Sequence, residues 1–144
     1  MNLSILRFDF TQEGTPTALQ IRHEVFVVEQ QVPEALEYDG LDPQCLHYLL
    51  LADEKPVATA RWRETEKGIK LERFAVLQEF RSMGLGGRLL DEVLADVIPL
   101  GKRIYLHSQD TAVAFYERHG FVCRGNPFLE AGILHYVMER PVGC

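Results

Sequence analysis

The stretch RSMGLGGRLLDEVLADV, from Arg81 to Val97, joins a strand-like segment to an amphipathic helix through a glycine-rich turn. Three glycines, at positions 84, 86 and 87, stand at the start of this helix, where backbone N–H groups have no partner within the helix. Without Cβ atoms in the way, a ligand can approach those N–H groups, and the positive end of the helix dipole favours an anion. The stretch therefore predicts a phosphate-binding turn, to which Arg81 and Arg88 add charge-assisted hydrogen bonds. The alternative is a tight turn that binds nothing.

Two common nucleotide-binding motifs do not fit this turn. A P-loop requires Lys and then Ser or Thr after its last glycine, whereas Arg88 and Leu89 follow Gly87. A dinucleotide-binding fingerprint requires a third glycine where this chain has Leu89. The spacing therefore argues against both classes of nucleotide site.

The segments around the turn predict a mixed α/β sheet. Strands are predicted over residues 4–9, 46–51, 57–63, 69–77, 103–107, 121–124 and 133–139. Helices are predicted over residues 15–30, after the glycine turn, and over 111–119, where Asp110 is the expected cap and Gly120 the expected end; residues 32–44 are predicted as a long loop. The short joins ADEKP and ETEKG favour an antiparallel meander, and the strand–helix–strand crossover favours a parallel pair. We expect one domain over residues 1–144.

Composition and charge favour a single globular domain and argue against several other classes of protein. A chain of 144 residues with 47% hydrophobic and 25% charged residues is typical of one soluble globular domain. No apolar run reaches the roughly 20 residues that span a bilayer, and the N-terminus alternates like a strand, so we expect a cytoplasmic protein without a membrane partner. The net charge of −6 argues against nucleic acid as a partner. Cys45, Cys123 and Cys144 lack metal-ligand spacing and are odd in number, so neither a metal nor a disulfide is expected.

Residues 81–86, RSMGLG, have the form Arg/Gln-x-x-Gly-x-Gly/Ala, which is the pyrophosphate loop of the GNAT N-acetyltransferases. The stretches LERFAVLQEFR (71–81) and FYERHGF (115–121) also stand at that family's usual places. IRHEVFVVEQQVP, EYDGLD, HYLL and EAGILHYVMER resemble the ElaA/YjcF-like branch of the family. The resemblance covers nearly the whole chain, and one small departure is Ser108, where that branch more often has alanine.

The resemblance implies an acetyl-CoA-dependent N-acetyltransferase that transfers an acetyl group to a primary amine by direct attack. It also implies a mostly antiparallel sheet with helices on both faces, in which the two parallel strands splay apart around the pantetheine arm. The implied cofactor-binding residues are Phe74, Ala75, Val76, Arg81, Ser82, Met83, Gly84, Leu85, Gly86, Gly87, Arg88, Gln109, Phe115 and Tyr116.

The resemblance further implies catalytic roles. Tyr116 matches the tyrosine that faces the CoA sulfur and is assigned as the general acid, the alternative being core packing beside Phe115. The backbone N–H of Val76 is the expected oxyanion donor. Glu72 is the first candidate for the general base, acting through water, and His135 is interpreted as structural. The rival base or substrate-binding residues at positions characteristic of the ElaA/YjcF-like branch are Glu29, Tyr38, Asp39 and His47. His107 is a further candidate, because it stands at a strand end beside the presumed cleft.

The acceptor amine and the function itself are left with alternatives. Glu29, Glu37 and Asp39 would suit a cationic acceptor, and the competing interpretation is a solvated acidic loop. Polyamine-like molecules, amino sugars and peptide amines all remain open. A non-catalytic acyl-CoA-binding or sensing domain is the main alternative to an enzyme, and a phosphate-binding interaction module unrelated to CoA is the third. Relatives suggest a homodimer by analogy.

Overall fold

The computed structural model describes residues 1–10 and 14–141, which form seven strands and four α-helices. The strands are β1 (Leu3–Phe8), β2 (Leu46–Ala52), β3 (Lys55–Thr65), β4 (Gly68–Val76), β5 (Ile104–Gln109), β6 (Val122–Glu130) and β7 (Ile133–Arg140). The helices are α1 (Gly14–Arg22), α2 (Glu34–Glu37), α3 (Leu85–Val97) and α4 (Val113–Glu117). The strands make one sheet in the order β1-β2-β3-β4-β5-β7-β6.

The sheet confirms the predicted meander and the predicted parallel pair. Strands β1 to β4 pair antiparallel in chain order, and β4 pairs with β5 in parallel. This parallel pairing ends at Leu71 and Leu106, although β4 continues to Val76 and β5 to Gln109. The two strands therefore splay apart after a short shared segment.

A β-bulge in β4 marks the place where the splay begins. Thr59 of β3 pairs with Ala75, but Arg61 pairs with Glu72, so β4 has one extra residue in this interval. Arg73 lies there with φ of 57°, in the left-handed region that side chains rarely occupy. An extra residue bends a strand and increases its local twist, which turns β4 away from β5.

Helices cover both faces of the sheet, as expected. The face of α3 with Leu89, Leu90 and Val93 packs into the main core. On the other face, Ala18 and Ile21 of α1 lie in a second, smaller core. Burial of these apolar side chains on two faces is the main favourable contribution to the fold.

Four local predictions differ from the structure. The helix expected over 15–30 changes to a π-helix over His23–Glu29. Its wider turn is shown by the hydrogen bond from the Gln30 N–H to the Val25 carbonyl, at 3.2 Å. The spacing of apolar residues does not indicate this helix type. The expected loop 32–44 contains α2. Asp110 forms no side-chain cap, because a 3₁₀ turn (Asp110–Ala112) precedes α4. Strand β6 runs to Glu130 through a bulge, whereas the predicted strand ended at Arg124.

Cys45 is buried, Cys123 is exposed and neither forms a disulfide, while Cys144 lies outside the described residues. In the described ranges, no cluster of three or more His, Cys, Asp or Glu side chains is arranged to hold a metal ion. No helix within residues 1–10 and 14–141 is long and apolar enough to cross a membrane.

Candidate active site

A cavity of about 700 Å³ opens where β4 and β5 separate. Its walls include Phe74, Ala75 and Val76 on one side and residues 106–109 of β5 on the other. Because β4 has no partner strand on this side after Leu71, its backbone edge faces the cavity. Such an edge can bind an extended ligand that carries amide groups.

A second cavity, of about 410 Å³, lies against the start of α3 and shares lining residues with the first. The shared residues are Val76, Arg81, Gly86 and Phe115. The glycine corner, which we define as residues 82–87, forms part of its wall. No side chain caps α3, and its first backbone bond runs from the Arg88 N–H to the Gly84 carbonyl at 3.1 Å. The preceding N–H groups are therefore available to an anion.

The three glycines of this corner serve different purposes. Gly84 has φ of 77°, and a Cβ built there would meet no atom within 4 Å, so its role is conformational. A Cβ on Gly86 would make ordinary contacts with Val76 and Phe115 at 3.6 and 3.7 Å. A Cβ on Gly87 would lie 3.2 Å from Nε2 of His119, which is tighter than usual.

Tyr116 lies in the wall of the larger cavity and is also part of the main hydrophobic core. Its ring packs edge-on against Phe74, Phe115 and Phe121, and the residue is only 9% exposed. No residue in the described part of the chain hydrogen-bonds its hydroxyl, and burial raises the pKa of Tyr116. The hydroxyl therefore stays protonated and free to donate a hydrogen bond to a ligand.

Residues 7–141 match the family model of the acetyltransferase (GNAT) domain. The chain belongs to the GNAT acetyltransferase family. It is 40% identical over 133 residues to the uncharacterized N-acetyltransferase YjcF of Bacillus subtilis, covering 90% of this chain and 94% of that protein. Among solved structures, it resembles an acyl-CoA N-acyltransferase from Pseudomonas aeruginosa (30% identity, TM-score 0.87) and ElaA of Escherichia coli (25% identity, TM-score 0.87). Each alignment covers 97% of this chain and 100% of the other.

The predicted cofactor-binding residues of this GNAT acetyltransferase lie mostly along the two cavities, with two exceptions. Met83 and Arg88 are exposed and line neither cavity. The Arg81 guanidinium is held by both carboxylate oxygens of Glu29, at 2.8 and 2.9 Å, and by the Val76 carbonyl at 2.9 Å. Gln109 lines the larger cavity and donates to the side chain of Gln30 at 2.7 Å.

Glu72 lines the larger cavity as a bound carboxylate. It accepts hydrogen bonds from Arg61, at 3.1 Å, and from Arg63, and the Lys70 ammonium lies 3.9 Å away. Burial by itself would raise the pKa of Glu72, but Arg61, Lys70 and Arg63 outweigh it and lower the pKa. A carboxylate held in its charged form by three cations is a weak proton acceptor.

The acidic loop is also neutralised by arginines. Asp39 lines the cavity and binds Arg61 at 2.7 Å and Arg73 at 3.4 Å. Burial opposes ionisation of Asp39, yet the Arg61 hydrogen bond, with help from the Leu41 N–H and Arg73, lowers its pKa to about 2. Glu37 binds Arg22 at 2.6 Å and Arg73 at 3.0 Å. The acids that suggested a cationic acceptor thus already have cationic partners within the protein.

Three of the predicted substrate-binding residues do not line the larger cavity: Glu29, which pairs with Arg81, and Tyr38 and His47. The Tyr38 hydroxyl is 3.4 Å from Nδ1 of His23. His47 is buried beside the rings of Phe8 and Phe10, and its Nε2 is 3.0 Å from the Asp42 carbonyl. Burial lowers the pKa of His47, so it is a neutral packing residue here.

A cluster on β5, β6 and β7 lies in the cavity wall and was only partly predicted. His107 is a predicted residue, and its Nδ1 is 3.3 Å from Glu130. His135, which the sequence suggested as structural, also lines the cavity, 3.8 Å from the same carboxylate. Sequence reasoning missed Glu130, because the predicted strand ended at residue 124 and β6 continues to Glu130. It also missed Arg63 and Lys70, which alternation along β3 and β4 places on the face of Glu72.

Replacing Gly84 with alanine tests the glycine corner. Because φ is 77° and no atom crowds the site, we expect a loss of about 1–2 kcal/mol in the free energy of unfolding. Relaxation of this turn misaligns the N–H groups of the corner, so the Kd for acetyl-CoA should rise about 10-fold. Calorimetric titration and urea unfolding measure the two effects.

Gly101→Ala is the matched control for this variant. Gly101 follows the far end of α3 with φ of 70° and equally open space, and it lines neither cavity. It should lose similar stability and keep its affinity for acetyl-CoA. Equal affinity losses in both variants would contradict a role of the corner in binding.

Proposed function

We propose that this GNAT acetyltransferase transfers the acetyl group of acetyl-CoA to a primary amine of a small acceptor by direct attack. The observation that supports this most strongly is the arrangement of the two cavities. They connect an uncapped helix start, suited to a diphosphate, with the strand edge of β4 and the buried hydroxyl of Tyr116.

Acetyl-CoA supplies, when bound, a thioester carbon that a neutral amine can attack. The chain has to bind the phosphates, stabilise negative charge near the carbonyl and deliver a proton to the departing sulfur. We assign the first task to the glycine corner, the second to the Val76 N–H and the third to Tyr116. The new bond joins nitrogen to the acetyl carbon, the carbon–sulfur bond breaks, and the Tyr116 proton goes to sulfur.

Removal of a proton from the amine is the larger energetic task. An alkylammonium with a pKa near 10.4 costs about 4–5 kcal/mol to deprotonate at pH 7. We propose His107 as the acceptor of this proton, with Glu72 acting through water as the alternative. If Nδ1–H of His107 donates to Glu130, Nε2 is left with its lone pair, whereas Glu72 is bound by Arg61 and Arg63.

Two measurements test the proposed function. The first is thermal stabilisation by acetyl-CoA, which should add about 2.7 kcal/mol when the ligand is present at 100 times its Kd. The second is thiol release over a panel of primary amines, with mass spectrometry of the N-acetylated product. Stabilisation without thiol release for any amine would favour an acyl-CoA-binding domain. Absence of stabilisation would contradict acetyl-CoA as the donor.

A further inference from the structure

We propose that the acceptor amine carries an oxyanion group, a carboxylate or a phosphate ester, which binds to Arg63 and Lys70 in the wall of the larger cavity. This inference rests on the proposed N-acetyltransferase function and names the class of its acceptor.

Arg63 and Lys70 have hydrogen-bond donors that the protein does not use. Arg63 donates through Nε to Glu72, and its two terminal nitrogens form no hydrogen bond with any described residue. Lys70 has only the 3.9 Å approach of its Nζ to Glu72, which is too long for a hydrogen bond. Both residues line the cavity, with side chains 20% and 16% exposed.

Free donors at this depth favour an anionic partner. A half-buried charge without a partner loses hydration, and a ligand anion would restore its hydrogen bonds. The terminal nitrogens of an arginine match the geometry of a carboxylate or phosphate, and lysine adds a point charge.

The neighbouring carboxylates do not satisfy these two cations. Glu72 is shared among Arg61, Arg63 and Lys70, and its two oxygens accept from Arg63 and Arg61. Glu130, which also senses the charge of Lys70, lies closer to His107 and His135. The connected network contains five cations against four carboxylates: Arg22, Arg61, Arg63, Lys70 and Arg73 against Glu37, Asp39, Asp42 and Glu72. Among the described residues, Glu72 is the one carboxylate within ion-pair distance of Arg63 and Lys70, and it is shared with Arg61.

The strand register places this pair where an acceptor can reach it. Arg63 and Lys70 are directly opposite each other on β3 and β4, so both side chains lie on one face of the sheet. Lys70 is also opposite Tyr105 of β5, at the closed end of the splay. Phe74 is four residues further along β4, on the order of 13 Å away. An anion held at the closed end therefore directs the amine of a short chain towards His107, the first residue of β5 beyond the paired segment.

The test compares amines in matched pairs, with and without the oxyanion. The pairs are 4-aminobutanoate with butylamine, 6-aminohexanoate with hexylamine, and phosphoethanolamine with ethylamine. We expect kcat/KM to be at least about 10-fold higher for the charged member of one or more pairs, from hydrogen bonds to a charged group. A preference for the amino acids would indicate a carboxylate on the acceptor, and a preference for phosphoethanolamine would indicate a phosphate ester. Equal or better use of every neutral amine would overturn the inference and leave the proposed function intact.

Variants then identify the groups that bind the oxyanion. Lys70→Met and Arg63→Gln should each raise KM for the charged amines about 10- to 100-fold, and leave KM for neutral amines and Kd for acetyl-CoA unchanged. Lys102→Met is the control, because Lys102 pairs with Glu64 and lies outside the cavity wall. Equal effects on charged and neutral amines would show a merely structural role and overturn the assignment.

Direct binding separates this inference from the proposed function. The CoA-loaded protein is titrated calorimetrically with the same amino acids and with phosphoethanolamine. If no amine is acetylated but an oxyanion binds in a Lys70-dependent manner, the proposed function fails and the binding site stands. If acetylation occurs without Lys70-dependent binding, the proposed function stands and the oxyanion site fails.

Discussion

Replacing Tyr116 with phenylalanine is expected to lower kcat by about 100- to 10,000-fold, the range that a positioned general acid contributes. The ring contacts with Phe74, Phe115 and Phe121 do not involve the hydroxyl, so the cavity keeps its shape. The Kd for acetyl-CoA should therefore change less than about 2-fold, since a loss confined to the transition state leaves ground-state binding intact. Stopped-flow thiol release and calorimetry measure the two quantities.

Tyr105→Phe is the matched control for this variant. The Tyr105 hydroxyl lies 2.7 Å from that of Thr65, outside the cavity wall, so its removal should leave kcat unaltered. Because burial raises the pKa of Tyr116, the acid remains protonated as the pH rises, and Tyr116 should cause no loss of rate up to pH 10. A kcat for Tyr116→Phe within about 3-fold of the parent would mean that this ring only packs.

Replacing Asp42 with alanine is expected to lower the free energy of unfolding by about 3–5 kcal/mol, as when one partner of a buried ion pair is removed. One oxygen of Asp42 accepts from Arg22 at 2.7 Å and from Arg61 at 2.6 Å. The two arginine side chains are only 1% and 0% exposed, so the variant leaves two charges in the interior without this partner. Urea denaturation followed by circular dichroism measures the change.

The exposed pair Arg7–Glu92 provides the comparison for Asp42. Its side chains are 37% and 35% exposed, and Glu92→Ala should cost less than about 1 kcal/mol. Burial alone would raise the pKa of Asp42, but Arg22 and Arg61 lower it below its ordinary value of 3.8. The contribution of Asp42 is thus present above pH 3.8 and lost as the pH falls through the lowered pKa. Similar losses for Asp42→Ala and Glu92→Ala would contradict a stabilising role of the buried network.

The architecture could be predicted from the sequence because the signals for its strands, turns and helices are local. Glycines at 84, 86 and 87 before an amphipathic run, and short turns between alternating strands, each depend on residues close together in the chain. The resemblance to GNAT N-acetyltransferases added the splay and pointed to Tyr116, which lies in the cavity wall. The π-helix and the long β6 were missed, since apolar spacing does not distinguish helix types and Gly125 and Pro127 are typical of loops.

The electrostatics of the site could not be predicted, because its ion pairs join distant residues. Arg61 and Asp39 are separated by 22 positions and Arg81 and Glu29 by 52. A count of acids in the loop suggested attraction for a cation, whereas the folded chain brings an arginine to each of these acids. The hydrogen-bond donors of Arg63 and Lys70 that have no partner can be identified only once the ion pairs of the folded chain are known.

The bulge at Arg73 divides β4 into two halves of opposite phase. Before it, Leu71 faces the main core; after it, Phe74 and Val76 face that core, although strict alternation would have turned them to the other side. The bulge therefore lets the two halves orient independently. The first half presents the side chains of Lys70 and Glu72 to the larger cavity, and the second half presents its backbone edge to the same cavity where the strands splay apart. Deleting Arg73 would therefore remove the bulge and its bend, but the second half would keep its face, because Phe74 would then follow Glu72 in strict alternation.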